Sequence, residues 1–146
     1  MLEGDLIKSA LARRLGALFP GITVYKEKVE QGLKYPSFFI LQLAVNKEDD
    51  LRPFQWLNFQ MNIRYRPTRD YNSKRSELDQ LGLDMMDGLE TVEVDGKPLR
   101  GRDVNYQIID GVLQFFINFR MRVKREQEDG DKMLVLENSA YIKEEE

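Results

Sequence analysis

Residues Val112 to Lys124 read Val-Leu-Gln-Phe-Phe-Ile-Asn-Phe-Arg-Met-Arg-Val-Lys. Leu113, Phe115, Ile117, Phe119, Met121 and Val123 alternate with Gln114, Phe116, Asn118, Arg120, Arg122 and Lys124. Successive strand side chains point to opposite faces, so this period of two predicts one buried face and one wet face. It is the best-patterned strand in the chain. Asp110-Gly111 precedes it, and Val104 to Ile109 precedes that pair. Asp-Gly between two such runs predicts a hairpin with a tight turn. A second alternating strand lies upstream, with Leu57, Phe59, Met61, Ile63 and Tyr65 against Asn58, Gln60, Asn62, Arg64 and Arg66, and Pro67 stops it.

The other elements are read around these two strands. Leu6, Ile7, Ala10, Leu11, Leu15 and Leu18 fall on one helical face, which predicts a helix from Asp5 to Phe19. Asp5 is placed to cap it, and Pro20-Gly21 ends it. Ile22 to Glu30 reads as a strand and Gln31 to Pro36 as a turn. Ser37 to Val45 is apolar on both faces, as a central strand covered on both sides would be. Asn46 to Pro53 reads as a polar loop. Asn72 or Ser73 is placed to cap a second helix reaching Leu89, with Leu78, Leu81, Met85 and Leu89 as its apolar stripe. Val94-Asp95-Gly96-Lys97 holds another tight turn. The order α-β-β-β-α-β-β predicts an α+β domain, a mainly antiparallel sheet with two helices on one face. It spans 1–125, and 126–146 form an acidic tail.

Composition narrows the function. The 146 residues make one domain's worth of chain, 42% hydrophobic and 32% charged. Cysteine and histidine are both absent. Disulfides, thiol nucleophiles, Ser-His-Asp and Cys-His arrangements and His-Cys zinc sites are therefore excluded. No apolar run approaches the ~18 residues of a membrane span, so no membrane partner is expected. The acidic start lacks the pattern of a signal peptide. The net charge of −3 is uneven: +3 over 52–125 and −6 over 126–146. Inside that tail lies an apolar island, Met133-Leu134-Val135-Leu136, able to fold back or to add to a sheet edge in a neighbour.

Tests for chemistry find little. Gly96-Lys97 lacks the glycine spacing and the Ser or Thr of a phosphate loop, and Pro98 follows it. Glu48-Asp49-Asp50 and the group Glu90, Glu93 and Asp95 lack calcium-loop spacing and read as solvated charge. No catalytic residue, cofactor or metal is expected, and a carboxylate-based hydrolase or transferase ranks last. If the two alternating strands are neighbours, Arg64, Arg66, Arg120 and Arg122 share the wet face. That strip is able to meet phosphates or an acidic protein surface. Phe54 and Trp56 fall on the polar parity of one strand, and Phe116 interrupts the polar face of the other. As a set they suit the apolar centre of a subunit contact. A binding or assembly module is the expected class.

Several strings carry a family resemblance. They are the helix end Leu18-Phe19-Pro20, then Tyr35-Pro36-Ser37-Phe38-Phe39-Ile40, then Ile63-Arg64-Tyr65-Arg66-Pro67. Val94-Asp95-Gly96-Lys97-Pro98-Leu99-Arg100-Gly101 follows, and Tyr106-Gln107-Ile108-Ile109-Asp110-Gly111-Val112-Leu113-Gln114-Phe115-Phe116 completes the set. In order and spacing the chain resembles the tail terminator (tail-completion) family of phages and prophages of low-GC Gram-positive bacteria over about residues 1–125. The resemblance implies a virion protein without catalytic residues. It implies a ring, a hexamer, seated on the last ring of the tail tube at its head-proximal end. There it would stop tube growth and present the surface that joins the filled head. The implied partners are further copies of itself, the tail tube protein and a head-completion or connector protein. DNA would pass through without specific binding, and assembly would take place in the host bacterial cytoplasm.

On this reading the Asn46 to Pro53 segment and the last hairpin form one contact zone. Its candidate residues are Asp49, Asp50, Arg52, Phe54, Trp56, Phe116, Arg120 and Arg122, with Leu134 and Leu136 from the tail island. Arg120 and Arg122 are expected to meet acidic groups there. The alternative is a small nucleic-acid-binding protein using the basic strip, whose binding would weaken steeply with salt.

Overall fold

The two alternating strands are hydrogen-bonded to each other along almost their whole length. In the computed structural model they are β3, Phe54–Arg66, and β6, Val112–Arg125, antiparallel from Phe54↔Lys124 to Tyr65↔Leu113. The structure describes residues 3–27, 31–67, 74–125 and 134–136. Their elements run α1 Glu3–Leu18, β1 Thr23–Tyr25, β2 Ser37–Asp49, β3, α2 Arg75–Gly88, β4 Thr91–Val94, β5 Lys97–Ile109, β6 and β7 Leu134–Leu136. The sheet order is β1-β2-β3-β6-β5-β4, and β7 pairs with the end of β6. All pairings are antiparallel except that of β1 with β2. The fold is α+β.

The period of two assigns the core. Leu57, Phe59, Met61 and Ile63 of β3 and all six odd-numbered residues from Leu113 to Val123 of β6 are buried. Ile7, Ala10, Leu11 and Leu15 of α1 pack into the same core as Leu78 and Met85 of α2 and Leu89 just after it. α1 touches β1 and β2 near one end of the sheet and β4 at the other, so the sheet curls around it. Arg13 and Arg14 bind α1 across this curl. Arg13 donates to the Glu93 carbonyl at 3.2 Å, and Arg14 donates to the Gly88 carbonyl at 2.8 Å. Both hairpin turns follow the Asp-Gly chemistry. Asp95 and Gly96 have φ of +53° and +76°, and Asp110 and Gly111 have +51° and +75°. Glycine adopts that left-handed region without a Cβ penalty, and aspartate tolerates it better than most residues.

Several expectations are corrected. α1 begins at Glu3, so Asp5 lies inside the first turn instead of capping it. There its charge still faces the positive end of the helix dipole. α2 is preceded by Lys74, with no side-chain cap bond, and Asn72 and Ser73 lie outside the described residues. β1 is three residues long, shorter than the strand expected over Ile22 to Glu30, and residues 28–30 lie outside the description. The expected loop from Asn46 is strand as far as Asp49, because cross-strand pairing with Gln55 to Asn58 supplies its backbone partners. Thr91–Val94 adds a strand that the turn at Asp95-Gly96 implied but the element order omitted.

β2 is a central strand only at its start. β1 covers its outer side at Ser37, Phe38 and Phe39 alone. Beyond them Leu41, Leu43 and Val45 are 36%, 51% and 42% exposed. The apolar run therefore does not mark cover on both faces along its whole length.

Candidate functional site

Three neighbouring strands bring the two halves of the expected contact zone together. Glu48 of β2 lies opposite Trp56 of β3, and Trp56 lies opposite Arg122 of β6. All three side chains stand on the sheet face away from the helices. Asn58 lies opposite Arg120, and Phe54 opposite Lys124. Each arginine leans to its diagonal neighbour, within the reach of long side chains. Arg120 sits 4.1 Å from the Trp56 ring centroid and donates to Glu48 Oε1 at 3.2 Å. Arg122 sits 4.2 Å from the Phe54 centroid and donates from Nε to Asp50 Oδ2 at 2.8 Å.

The result is a double rung of carboxylate, guanidinium and aromatic ring. A cation over a ring contributes about 0.5–1 kcal/mol at exposed sites, and an ion pair near the surface, screened by water and salt, contributes less. The Arg122–Asp50 rung is the more enclosed, with side chains 16% and 26% exposed against 22% and 69% for Arg120 and Glu48. Packing against the rings and the carboxylates fixes both guanidiniums before any partner arrives. Pre-ordered aromatic and arginine side chains are the common anchors of protein contacts.

Asp50 carries a measurable trace of this order. The Leu51 backbone N–H donates to its Oδ1 at 2.8 Å. That bond, followed by Arg122 and then Arg120, holds the carboxyl below its ordinary value of 3.8 against the opposing effect of desolvation. The folded chain favours the charged form, so the stabilisation is present above the ordinary value and is lost as pH falls through the lowered one. An NMR titration is expected to place the Asp50 midpoint below 3.8. Arg122→Ala should move it part of the way back, because the Leu51 N–H remains. A midpoint that ignores Arg122→Ala would remove this pair.

The other candidates stand apart from the rungs. Asp49 takes the opposite strand parity, is exposed and pairs with Lys47 at 3.7 Å. Arg52 is exposed in the turn between β2 and β3. Phe116 is half-buried opposite Asn62, four residues along β6 from Arg120. Leu134 and Leu136 belong to β7, which pairs with Arg125 and Val123 of its own chain. The one important residue missed is Glu48. Its charge run resembles solvated surface, yet Glu48 and Asp50 are two residues apart, the spacing that shares a strand face.

The basic strip does lie on one face. Arg64 donates to Asn62 Oδ1 at 3.1 Å, and Arg66 lies 5.3 Å from the Phe39 ring centroid. Asn62 is itself buried and donates to the Phe115 carbonyl at 3.1 Å. Arg120 and Arg122 are matched by carboxylates, so that half of the strip is patterned for charge pairing within the fold more than for phosphates. No helix among the described residues is long and apolar enough to cross a membrane.

Comparison with known proteins agrees with the family that the strings suggested. A family model described as phage tail terminator protein matches residues 6–131, most of the 146-residue chain. No curated protein matches. Several solved structures are similar, among them one at 18% identity and a TM-score of 0.44, covering 88% of this chain and 100% of its own. The family model's range, residues 6–131, runs through both helices and from β1 to β6, every element that builds the double rung. This chain belongs to the phage tail terminator protein family.

Proposed function

We propose that this protein, a component of phage tail assembly, caps the tail tube at its head-proximal end. It stops tube polymerisation there and offers the surface that joins the head. It does so as a ring of identical subunits, a hexamer, with the tube protein on one side and a head-completion or connector protein on the other. DNA passes through the ring without specific binding. The virion holds it at the top of the tail, after assembly in the host bacterial cytoplasm. It works as a structural protein and not as an enzyme.

The family match over residues 6–131 carries this reading. We assign Asp50, Phe54, Trp56, Arg120 and Arg122, with Glu48, to subunit or tube contact, a reading supported by their arrangement on one sheet face. Asp49, Arg52, Phe116, Leu134 and Leu136 complete the proposed subunit or tube interface. A head-to-tail contact between identical subunits uses two different surfaces and closes only when its rotation closes.

Deleting the gene from its phage and imaging the tails by electron microscopy tests the proposal. Overlong tubes without heads are the expected result. Tails of normal length beside separate full heads would mean a joining protein that acts after termination. Normal infectious particles would overturn the assignment.

A further inference from the structure

Among the described residues, the outer edge of β2 is open beyond the end of β1. From Ile40 to Asp49 no described strand pairs with it. The register shifts between Gln42 and Ala44, so Leu43 bulges from this edge and is 51% exposed. A sheet edge presents unpaired N–H and C=O groups that template the addition of another strand. At the head of the edge, where β1 ends, is a cavity of about 640 Å³. Among the described residues Lys8, Lys26, Arg64 and Arg66 line it, with Glu27 as the one carboxylate. An apolar edge ending in a cationic cavity fits an extended segment that is apolar in its middle and acidic at one end.

This chain carries such a segment. Residues 137–146 read Glu-Asn-Ser-Ala-Tyr-Ile-Lys-Glu-Glu-Glu, with four acidic side chains and one basic. Tyr141-Ile142 is followed closely by Glu144-Glu145-Glu146. The sheet order determines whose edge that segment reaches. β7 lies on the flank of β6 away from β3, and the open edge lies beyond β3 on the other flank. Leu136 pairs with Val123, Val123 with Gln55 and Gln55 with Asp49, so β7 stands level with the far end of the edge from the cavity. Within one chain, the path along the sheet crosses four strand spacings, about 19 Å, and runs nine residues along the strand, about 30 Å. Tyr141 stands five residues beyond Leu136, an extended reach of about 17 Å, while the path to the level of Leu43, six residues along the edge, is already about 28 Å. A neighbour's edge set against the β7 flank needs no such crossing.

We propose that the open edge of β2 and its cationic cavity receive residues 137–146 of a second copy. Tyr141 and Ile142 lie along Leu41 and Leu43, and the glutamate run faces Lys8, Lys26, Arg64 and Arg66. The contact is head-to-tail, and it deepens the ring reading above, on which it rests.

Cysteine cross-linking tests it on the full chain, which has no cysteine of its own. Leu43→Cys combined with Tyr141→Cys is oxidised mildly, both in the free protein and in assembled tails. A ladder of disulfide-linked chains longer than a dimer is expected. Either single variant should give no more than dimer. Adding Lys8→Glu with Lys26→Glu should slow the ladder several-fold. An internally closed monomer would place the segment on its own edge and overturn the proposal, as would no linkage in either sample. A ladder indifferent to the charge reversals would overturn the seating of the glutamates. Overlong tubes on gene deletion without a ladder would sink this contact alone. A ladder from a gene whose loss leaves tails normal would sink the terminator reading alone.

Discussion

Arg120→Glu combined with Arg122→Glu is expected to abolish ring assembly and infectious particle yield while leaving a folded chain. Each reversal removes one ion pair and one ring contact and places a glutamate beside Glu48 or Asp50. The two ring contacts together are worth about 1–2 kcal/mol, and ion pairs this close to solvent add little. A domain with about 5–15 kcal/mol of stability tolerates that loss unless it is marginal. Circular dichroism should show native structure with a lower melting temperature, and complementation of a deletion phage should give no plaques. Arg122→Lys is the informative companion. It keeps the charge opposite Asp50 but lacks the planar guanidinium that stacks on Phe54. Partial recovery is expected from it. Full virion yield from the double reversal would remove the sheet face from the contact zone.

Phe119→Ala should cost the fold about 3–5 kcal/mol, the usual range for deleting a fully buried aromatic ring. Phe119 is fully buried, opposite Phe59 on β3 and Gly101 on β5. In a chain of this size the melting temperature should fall by about 10 °C. Phe116→Ala, three residues away on the half-buried face, should cost about 1 kcal/mol, because water already reaches part of that ring. Thermal melts of the two variants compare the faces directly. Equal losses would contradict the assignment of one dry face and one wet face.

That assignment was legible without coordinates. Side chains on a strand alternate regardless of what lies beside it, so Leu113 to Val123 and Leu57 to Ile63 declared their buried side locally. The Asp-Gly turns were legible for the same kind of reason, since left-handed backbone at two successive residues restricts which side chains fit. The limits of the elements were less so. The charged stretch from Asn46 looked like loop, because its strand character comes from backbone bonds to β3 and not from its own side chains. The apolar run from Ser37 to Val45 looked covered on both faces, but how far β1 extends beside it is a property of the whole sheet.

The candidate site divides in the same way. Phe54, Trp56, Arg120 and Arg122 drew attention as residues out of place on their strands, and that is a local property. Their mutual arrangement is not. Which guanidinium stacks on which ring depends on the antiparallel register of β3 with β6, and Glu48 joins only because β2 aligns it with Trp56. By itself the sequence determined the fold class, the buried parity of the long strands, the hairpin turns and the absence of thiol and imidazole chemistry, because each depends on residue type or short-range spacing. Only the tertiary structure decided which charges are matched, which length of β2 is left open, and on which flanks the open edge and β7 lie. Those facts depend on the order and register in which distant strands meet, and no single segment encodes that order.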